Sequence, residues 1–204
     1  AVHGGSGISH GVIELLRDAR PGLEELSLVH RIDRETSGCL VLAKRRSALR
    51  TLHALFREGR VEKNYLALAA GHWQHGESLV DAPLFVEHRR GGERHVVVSD
   101  AGKPAQTRMR LARACGEYSL LQCQPLTGRT HQIRVHAAHL GHPLIGDERY
   151  GDESVNARAR RAGLKSLFLH AQSIAFPDEH GNEQHFTAPL AADLDAFLAT
   201  LAPC

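Results

Sequence analysis

An α+β fold, a largely antiparallel mixed sheet with flanking helices, is predicted by three features of this chain. Apolar runs of strand length interleave with only a few stretches of helical period. Several successive strand-like runs are joined by short Gly- and Pro-containing turns, where a parallel crossover would need a helix. The 204 residues are also enough to bury one substantial core, so a single domain spanning 1–204 is expected.

Taken in order, Gly11 to Arg20 places Ile13, Leu15 and Leu16 in a helix closed by Pro21-Gly22. Before it, Ala1-Val2-His3 reads as the end of a strand whose beginning is missing. Leu26 to Val29 and Gly38 to Lys44 read as strands. Ser47 to Glu58 repeats Leu49, Leu52, Leu55 and Phe56 at helical spacing and stops at Gly59; Val61 to Ala69 is then a strand carrying Tyr65. Asp81 to Ala101 reads as a hairpin turning at Gly91-Gly92, and Thr107 to Ala114 with Tyr118 to Gln124 as a second one through Gly116. Ile133, Ala137 and Leu140 share one face of a short helix that stops at Gly141 and Pro143. Asp152 to Lys165, charged and weakly periodic, reads as a mobile insert or short helix over the surface. Ser166 to Phe176 is a strand, Gln184 to Phe186 its partner, and Ala191 to Leu201 a closing helix.

Chemistry concentrates in three segments. His30-Arg31-Ile32-Asp33-Arg34-Glu35-Thr36-Ser37-Gly38 sets one carboxylate between two arginines, in small turn formers ahead of the apolar run Cys39 to Ala43. A loop feeding a buried strand is where a rigid scaffold can hold a catalytic group. An arginine close to Asp33 would favour its charged form, which makes it a candidate nucleophile or general base. The competing reading is an Asp that caps its own turn, with Arg31 and Arg34 solvated. A kinase loop is excluded because Ile32 interrupts His-Arg-Asp and no Asn follows at the right distance. The glycines of residues 4–11 are out of register for a dinucleotide loop, and Gly128-Arg129-Thr130 lacks the lysine of a P-loop.

The second segment runs from Leu126 to Pro143. Arg134 sits one position round from the apolar face of its helix, suited to reach a cleft and pair bidentately with a carboxylate. The alternative is a solvated helix arginine. In the third segment, Val61 to Ala69, Tyr65 is either a packed amphipathic residue or a ring that stacks on a planar substrate beside Asp33.

Together these segments resemble the RluA-type pseudouridine synthases. The Asp motif is as quoted, with Ile32 and Glu35 where that family usually has Leu and Asp. The tyrosine motif is Lys63-Asn64-Tyr65-Leu66-Ala67, and the arginine motif Gly128-Arg129-Thr130-His131-Gln132-Ile133-Arg134-Val135-His136 is followed by Gly146-Asp147-Glu148-Arg149-Tyr150-Gly151. Ala1 to Gly7, Lys44 to Arg50 and Gly102-Lys103-Pro104 point to the subgroup acting on large-subunit ribosomal RNA, the synthase C type. The resemblance implies a pseudouridine synthase-type catalytic domain that isomerises uridine in RNA without a cofactor. It implies Asp33 as nucleophile, on sugar or base, Arg134 as its partner, and Tyr65 stacking on a flipped uracil. It also implies Arg31 entering the gap in the RNA stack, Ile133 lining the pocket, and Arg129 on the RNA. His30, Thr36 and Ser37 are expected to shape the loop. A small S4-type RNA-binding domain is expected upstream of residue 1. Transfer RNA is the second substrate candidate, and a non-catalytic RNA-binding module the second function.

Composition agrees without leading there. Twenty-five basic and twenty-three acidic residues leave +2, so phosphate contacts would rest on local clusters: Arg89-Arg90, Arg108-Arg110-Arg113, Arg129, and Arg158-Arg160-Arg161 with Lys165. Each cluster alone reads more simply as solvated surface. Aromatics at 5% are too sparse for a stacking platform, so one extruded base should dominate any RNA complex. Cys39, Cys115, Cys123 and Cys204 have no zinc spacing, and Cys39 and Cys123 read as buried thiols. His131, His136, His139 and His142 raise a metal-dependent hydrolase, but no metal motif results, and no metal is expected. Without a membrane-length apolar run or a signal sequence, a cytoplasmic protein is expected. Nothing suggests an obligate protein partner, so a monomer is expected.

Overall fold

The computed structural model describes residues 11–20, 22–23, 25–88 and 94–201. The expected strand at Ala1-Val2-His3, the turn at Gly91-Gly92, the Arg89-Arg90 pair and Cys204 lie outside them. The elements are α1 (Val12–Ala19), β1 (Ser27–Leu28), β2 (Ser37–Gly38), β3 (Leu42–Ala43), α2 (Arg46–Arg57) and β4 (Glu62–Ala70). There follow β5 (Ser78–Asp81), β6 (Leu84–His88), β7 (Arg94–Val98), β8 (Gln106–Cys115), β9 (Tyr118–Pro125) and α3 (Gln132–His139). The chain closes with α4 (Glu153–Arg161), β10 (Leu169–Pro177), β11 (Glu183–Thr187) and α5 (Ala192–Thr200).

One seven-stranded sheet, ordered β11-β10-β4-β9-β8-β5 with β2 beside β10, carries the molecule; β1-β3 and β6-β7 form two small ribbons. Every ladder is antiparallel except β2–β10, as the turn-linked runs predict. The central strand β4 is apolar on both faces because both are covered. Ala67 and Ala69 meet Ile133 and Ala137 of α3, whereas Leu68 packs with Ala159 of α4 and Leu194 and Phe197 of α5. Strand side chains alternate, so Tyr65 and Lys63 fall on the α3 face with Ala67. That alternation alone aims Tyr65 at the helix bearing Arg134.

Two expectations are corrected. Gly38 to Lys44 is not one strand but β2 and β3, separated at Cys39–Val41. Gly38 adopts φ +106° and packs so tightly on β10 that a Cβ there would lie 2.2 Å from the Ala171 carbonyl oxygen. The chain therefore bends, leaving Cys39 half-buried rather than buried; Cys123 is fully buried as expected. Of the two readings of the stretch from Asp152, the structure has the short helix, α4, and not a mobile insert. Asp152 caps α4 by accepting the Val155 N–H at 3.0 Å, and Asn156 and Ala159 are buried beneath it.

Candidate active site

Asp33 lies in the loop between β1 and β2, which the surrounding sequence ties down at both ends. Thr36 N–H donates to the Asp33 carbonyl at 3.0 Å, closing a turn. At the start of the loop, His30 Nε2 accepts the Val41 N–H at 3.0 Å and its ring stacks on Phe56 at 5.0 Å. At its end, His170 Nε2 faces the Ala188 carbonyl at 3.2 Å, so Nδ1 accepts the Ser37 hydroxyl at 2.8 Å. Through register, Gly38 pairs with Ala171, which pairs with Tyr65 on β4, which pairs with Cys123. The loop thus ends two strands from Tyr65, about 10 Å at normal strand spacing. A register shift in β10 between Ala171 and Ser173 sits beside this row, as bulges often do next to active sites.

Arg134 comes from α3, whose residues Gln132 to Ala137 are all buried. Its guanidinium is a fork held by two carboxylates. Nε and Nη2 each donate to Asp147 at 2.7 Å, and Nη1 lies 3.5 Å from Asp33 Oδ2. The bidentate partner is therefore Asp147, and Asp33 receives the remaining nitrogen. Sequence reasoning had the arginine and its fork right but missed this division. Asp147 is fully buried and also accepts the N–H groups of Arg149 at 2.9 Å and Tyr150 at 3.1 Å. Asn156 of α4 braces it, donating to the Asp147 carbonyl and accepting the Gly146 N–H, both at 2.8 Å. Gly151 is required beside it, since a Cβ there would sit 2.1 Å from the Asp147 carbonyl oxygen. The Tyr150 ring lies under the guanidinium, 5.1 Å from its carbon, in cation–π range.

The electrostatics follow. Burial opposes the Arg134 charge, but the hydrogen bonds and charge of Asp147, then Asp33, outweigh it and raise its pKa. Burial likewise opposes the Asp147 carboxylate, and Arg134 with the two backbone donors outweighs it and lowers its pKa. Burial, reinforced by the charges of Asp33 and Cys39, pushes the Tyr65 hydroxyl up to about 12. Tyr65 is therefore a protonated phenol at neutral pH, fitted to stack or donate rather than to act as a base. Burial, then Lys63, pushes His30 down to about 4, and burial pushes His131 to about 4 against the pull of Asp33.

One cavity of about 260 Å³ gathers Asp33, Tyr65, Arg134, Arg31, Ile133 and Arg129. All six sequence-predicted site residues thus share one opening. Arg31 and Arg129 are exposed, and Arg129 Nε is fixed on the Pro104 carbonyl at 2.9 Å. Lys63 and Gln132, which carry no role by sequence, also line it, as does His131, considered there only as a metal ligand. Gln132 is fully used by the protein. Its carbonyl accepts the Arg129 N–H and the Thr127 hydroxyl, and its amide donates to the Gln106 carbonyl and the Thr107 hydroxyl. The Thr36 Oγ1 is buried without a hydrogen-bond partner among the described residues.

The suspected histidine cluster is dispersed. His136 is buried between Thr107 and the Ala82 carbonyl, His142 binds the Ala70 carbonyl, His131 binds Tyr150, and His139 is exposed. Among the described residues, no three His, Cys, Asp or Glu side chains are placed to hold one metal ion. No helix there is long and apolar enough to cross a membrane.

Comparison with known proteins meets this geometry at the same segments. Residues 6–139 match a family model described as RNA pseudouridylate synthase. The chain is 52% identical over 201 residues to the ribosomal large subunit pseudouridine synthase C of Haemophilus ducreyi, covering 98% of this chain and 63% of that one. Against the Escherichia coli protein of the same name it is 48% identical over 204 residues, covering 98% and 64%. The chain thus spans under two thirds of the length of these relatives. In structure it is similar to human RNA pseudouridylate synthase domain containing 1, with TM-score 0.79 and 29% identity over 95% of this chain and 79% of that one. Motifs, fold and pairwise identity agree: the chain belongs to the RNA pseudouridylate synthase family.

Proposed function

We propose that this chain isomerises uridine to pseudouridine in RNA, with large-subunit ribosomal RNA as substrate, and that Asp33 is the nucleophile. One observation carries the reading: among the described residues Asp33 is the single carboxylate lining the cavity, and it faces a guanidinium whose other nitrogens are already fixed. At about 260 Å³ the cavity is below the roughly 300–1,000 Å³ of ordinary ligand pockets, a size for one base rather than a larger ligand. A uracil inside an RNA stack cannot reach it, so the nucleotide must first be extruded.

The chemistry balances within the substrate. The C1′–N1 bond breaks, the base turns, a C1′–C5 bond forms, the C5 proton leaves and N1 gains one. No net oxidation occurs, so no co-substrate is called for. Asp33, attacking sugar or base, holds the pieces together while the base turns. Arg134 orients Asp33, Tyr65 stacks on the uracil, and Ile133 closes the pocket. Arg31, exposed at the rim, fills the gap left in the RNA stack, and Arg129 takes up phosphate. The large-subunit substrate, and with it action in the cytoplasm, rest on the names of the bacterial relatives, and a monomer is the state we propose.

The test is tritium release from 5-tritiated uridine in a large-subunit RNA transcript. Asp33→Asn should abolish release while RNA binding persists; release by that variant at the parent rate would falsify the reading. Mapping pseudouridines in cells lacking the protein identifies the modified positions.

A further inference from the structure

His131 is the one non-glycine residue with positive φ among the described residues, at 53°. It caps α3, one residue before Gln132, and lines the cavity with Asp33, Tyr65 and Ile133. Left-handed backbone at a non-glycine residue is uncommon, and such outliers gather at functional sites. A second, independent observation concerns its ring. Nδ1 lies 2.8 Å from the Tyr150 hydroxyl, which itself accepts the Val96 N–H at 3.0 Å. With the Val96 N–H on one lone pair of the phenol oxygen, the hydroxyl proton is free to donate to His131 Nδ1, the arrangement that leaves the imidazole proton on Nε2. Nε2 has no partner among the described residues, although its ring stands in the cavity wall.

We propose that His131 is a substrate-contacting residue whose Nε2–H donates a hydrogen bond to a carbonyl oxygen of the uracil in the cavity. The inference rests on the synthase reading and adds a group to it. When the C1′–N1 bond breaks, its electron pair stays on the base and spreads from N1 onto both carbonyl oxygens. A donor already aimed at one of them stabilises that charge without reorganising, which is where preorganised donors contribute most. No proton is transferred, and the imidazole remains neutral throughout. Its neutrality has a structural cause: burial pushes it to about 4, with Arg134 and Arg149 also opposing a second cation against the pull of Asp33 and Asp147. Tyr150 thereby links two parts of the site, with its ring under Arg134 and its hydroxyl setting the tautomer of His131.

His131→Gly tests this, because glycine takes a positive φ without penalty and leaves the turn intact. In the tritium-release assay kcat should fall about 100-fold, the size of effect seen when one preorganised donor is removed. KM should change little, and the unfolding temperature should be unchanged or higher. Imidazole added to the buffer should restore part of the rate, whereas 1-methylimidazole, which lacks an N–H, should not. Parent-like kcat in the variant overturns the proposal, as does equal rescue by both compounds or by neither. A fall in unfolding temperature that accounts for the lost rate assigns His131 a structural role and overturns it too. If the unsubstituted protein releases no tritium, the synthase reading itself fails and this inference falls with it, a result distinct from an active parent with an indifferent variant.

Discussion

Two carboxylates face one guanidinium, and the loops that carry them could hardly differ more. Asp147 has no exposed surface and spends its acceptor capacity on four protein donors within 3.1 Å. The Asp33 side chain is 19% exposed, meets Arg134 through a single 3.5 Å contact, and opens on the cavity. Asp147 acts as scaffold, fixing Arg134 as a reference point. Among the described residues, Asp33 keeps acceptor positions open on the cavity. A guanidinium saturated on one side and loosely engaged on the other can orient a nucleophile without tying it up.

The largest expected effect breaks this symmetry at Asp33. Asp33→Asn should lower kcat by about 10⁴-fold or more, as loss of a nucleophile does, with the unfolding temperature unchanged. Asp147→Asn should act the other way. It leaves a buried guanidinium against a neutral amide, and breaking such a pair costs about 3–5 kcal/mol. Chemical denaturation of both variants ranks them; a larger stability loss at Asp33 than at Asp147 would collapse the distinction. Next in size is Tyr65→Phe. Because the phenol stays protonated, the ring alone supplies the stacking, so the variant should fold normally and bind RNA normally. It should lose mainly rate, by about 10²-fold if the hydroxyl takes part in proton transfer. A large rise in KM instead would show that the hydroxyl holds substrate.

What the sequence revealed and what it withheld separate along the same line. Local pattern placed Asp33, Tyr65 and Arg134 on their elements, in a turn before an apolar run, an alternating strand and a helix with one apolar face, but only the resemblance of the three motifs joined them into one site. Asp147 was visible only as an acid between two glycines, thirteen residues after Arg134. Its burial depends on Asn156 reaching back from α4, a contact between segments that no local pattern encodes. The same holds for α4 itself, which looks like charged surface because only Asn156 and Ala159 are buried, with Val155 partly so, beside Arg158, Arg160 and Arg161. The extended strand expected after Gly38 failed for a tertiary reason too: the approach to Ala171 bends the backbone, and hydropathy does not register bends. His131 was hidden among other histidines, and only its backbone angle and its bond to Tyr150 set it apart.

The smallest predicted effect concerns pH, and it sharpens the comparison by placing the scaffold and the cavity in different windows. His30 and His131 protonate near 4 in the folded protein but near 6.5 when unfolded. Between those values the unfolded chain binds more protons, so stability must fall as pH drops from 6.5 towards 4 and be flat above it. Asp147, whose pKa is lowered by Arg134, adds its loss only below its unfolded value of about 3.8. Unfolding temperatures measured from pH 8 to 3 should therefore show one decline from about 6.5 towards 4 and a second that sets in below about 3.8. His131→Gly should reduce the first to the contribution of His30 and leave the second, whereas Asp147→Asn should remove the second and leave the first. If one substitution weakened both slopes alike, the cavity histidines and the Asp147–Arg134 pair would titrate as one unit, and pH could not separate scaffold from cavity.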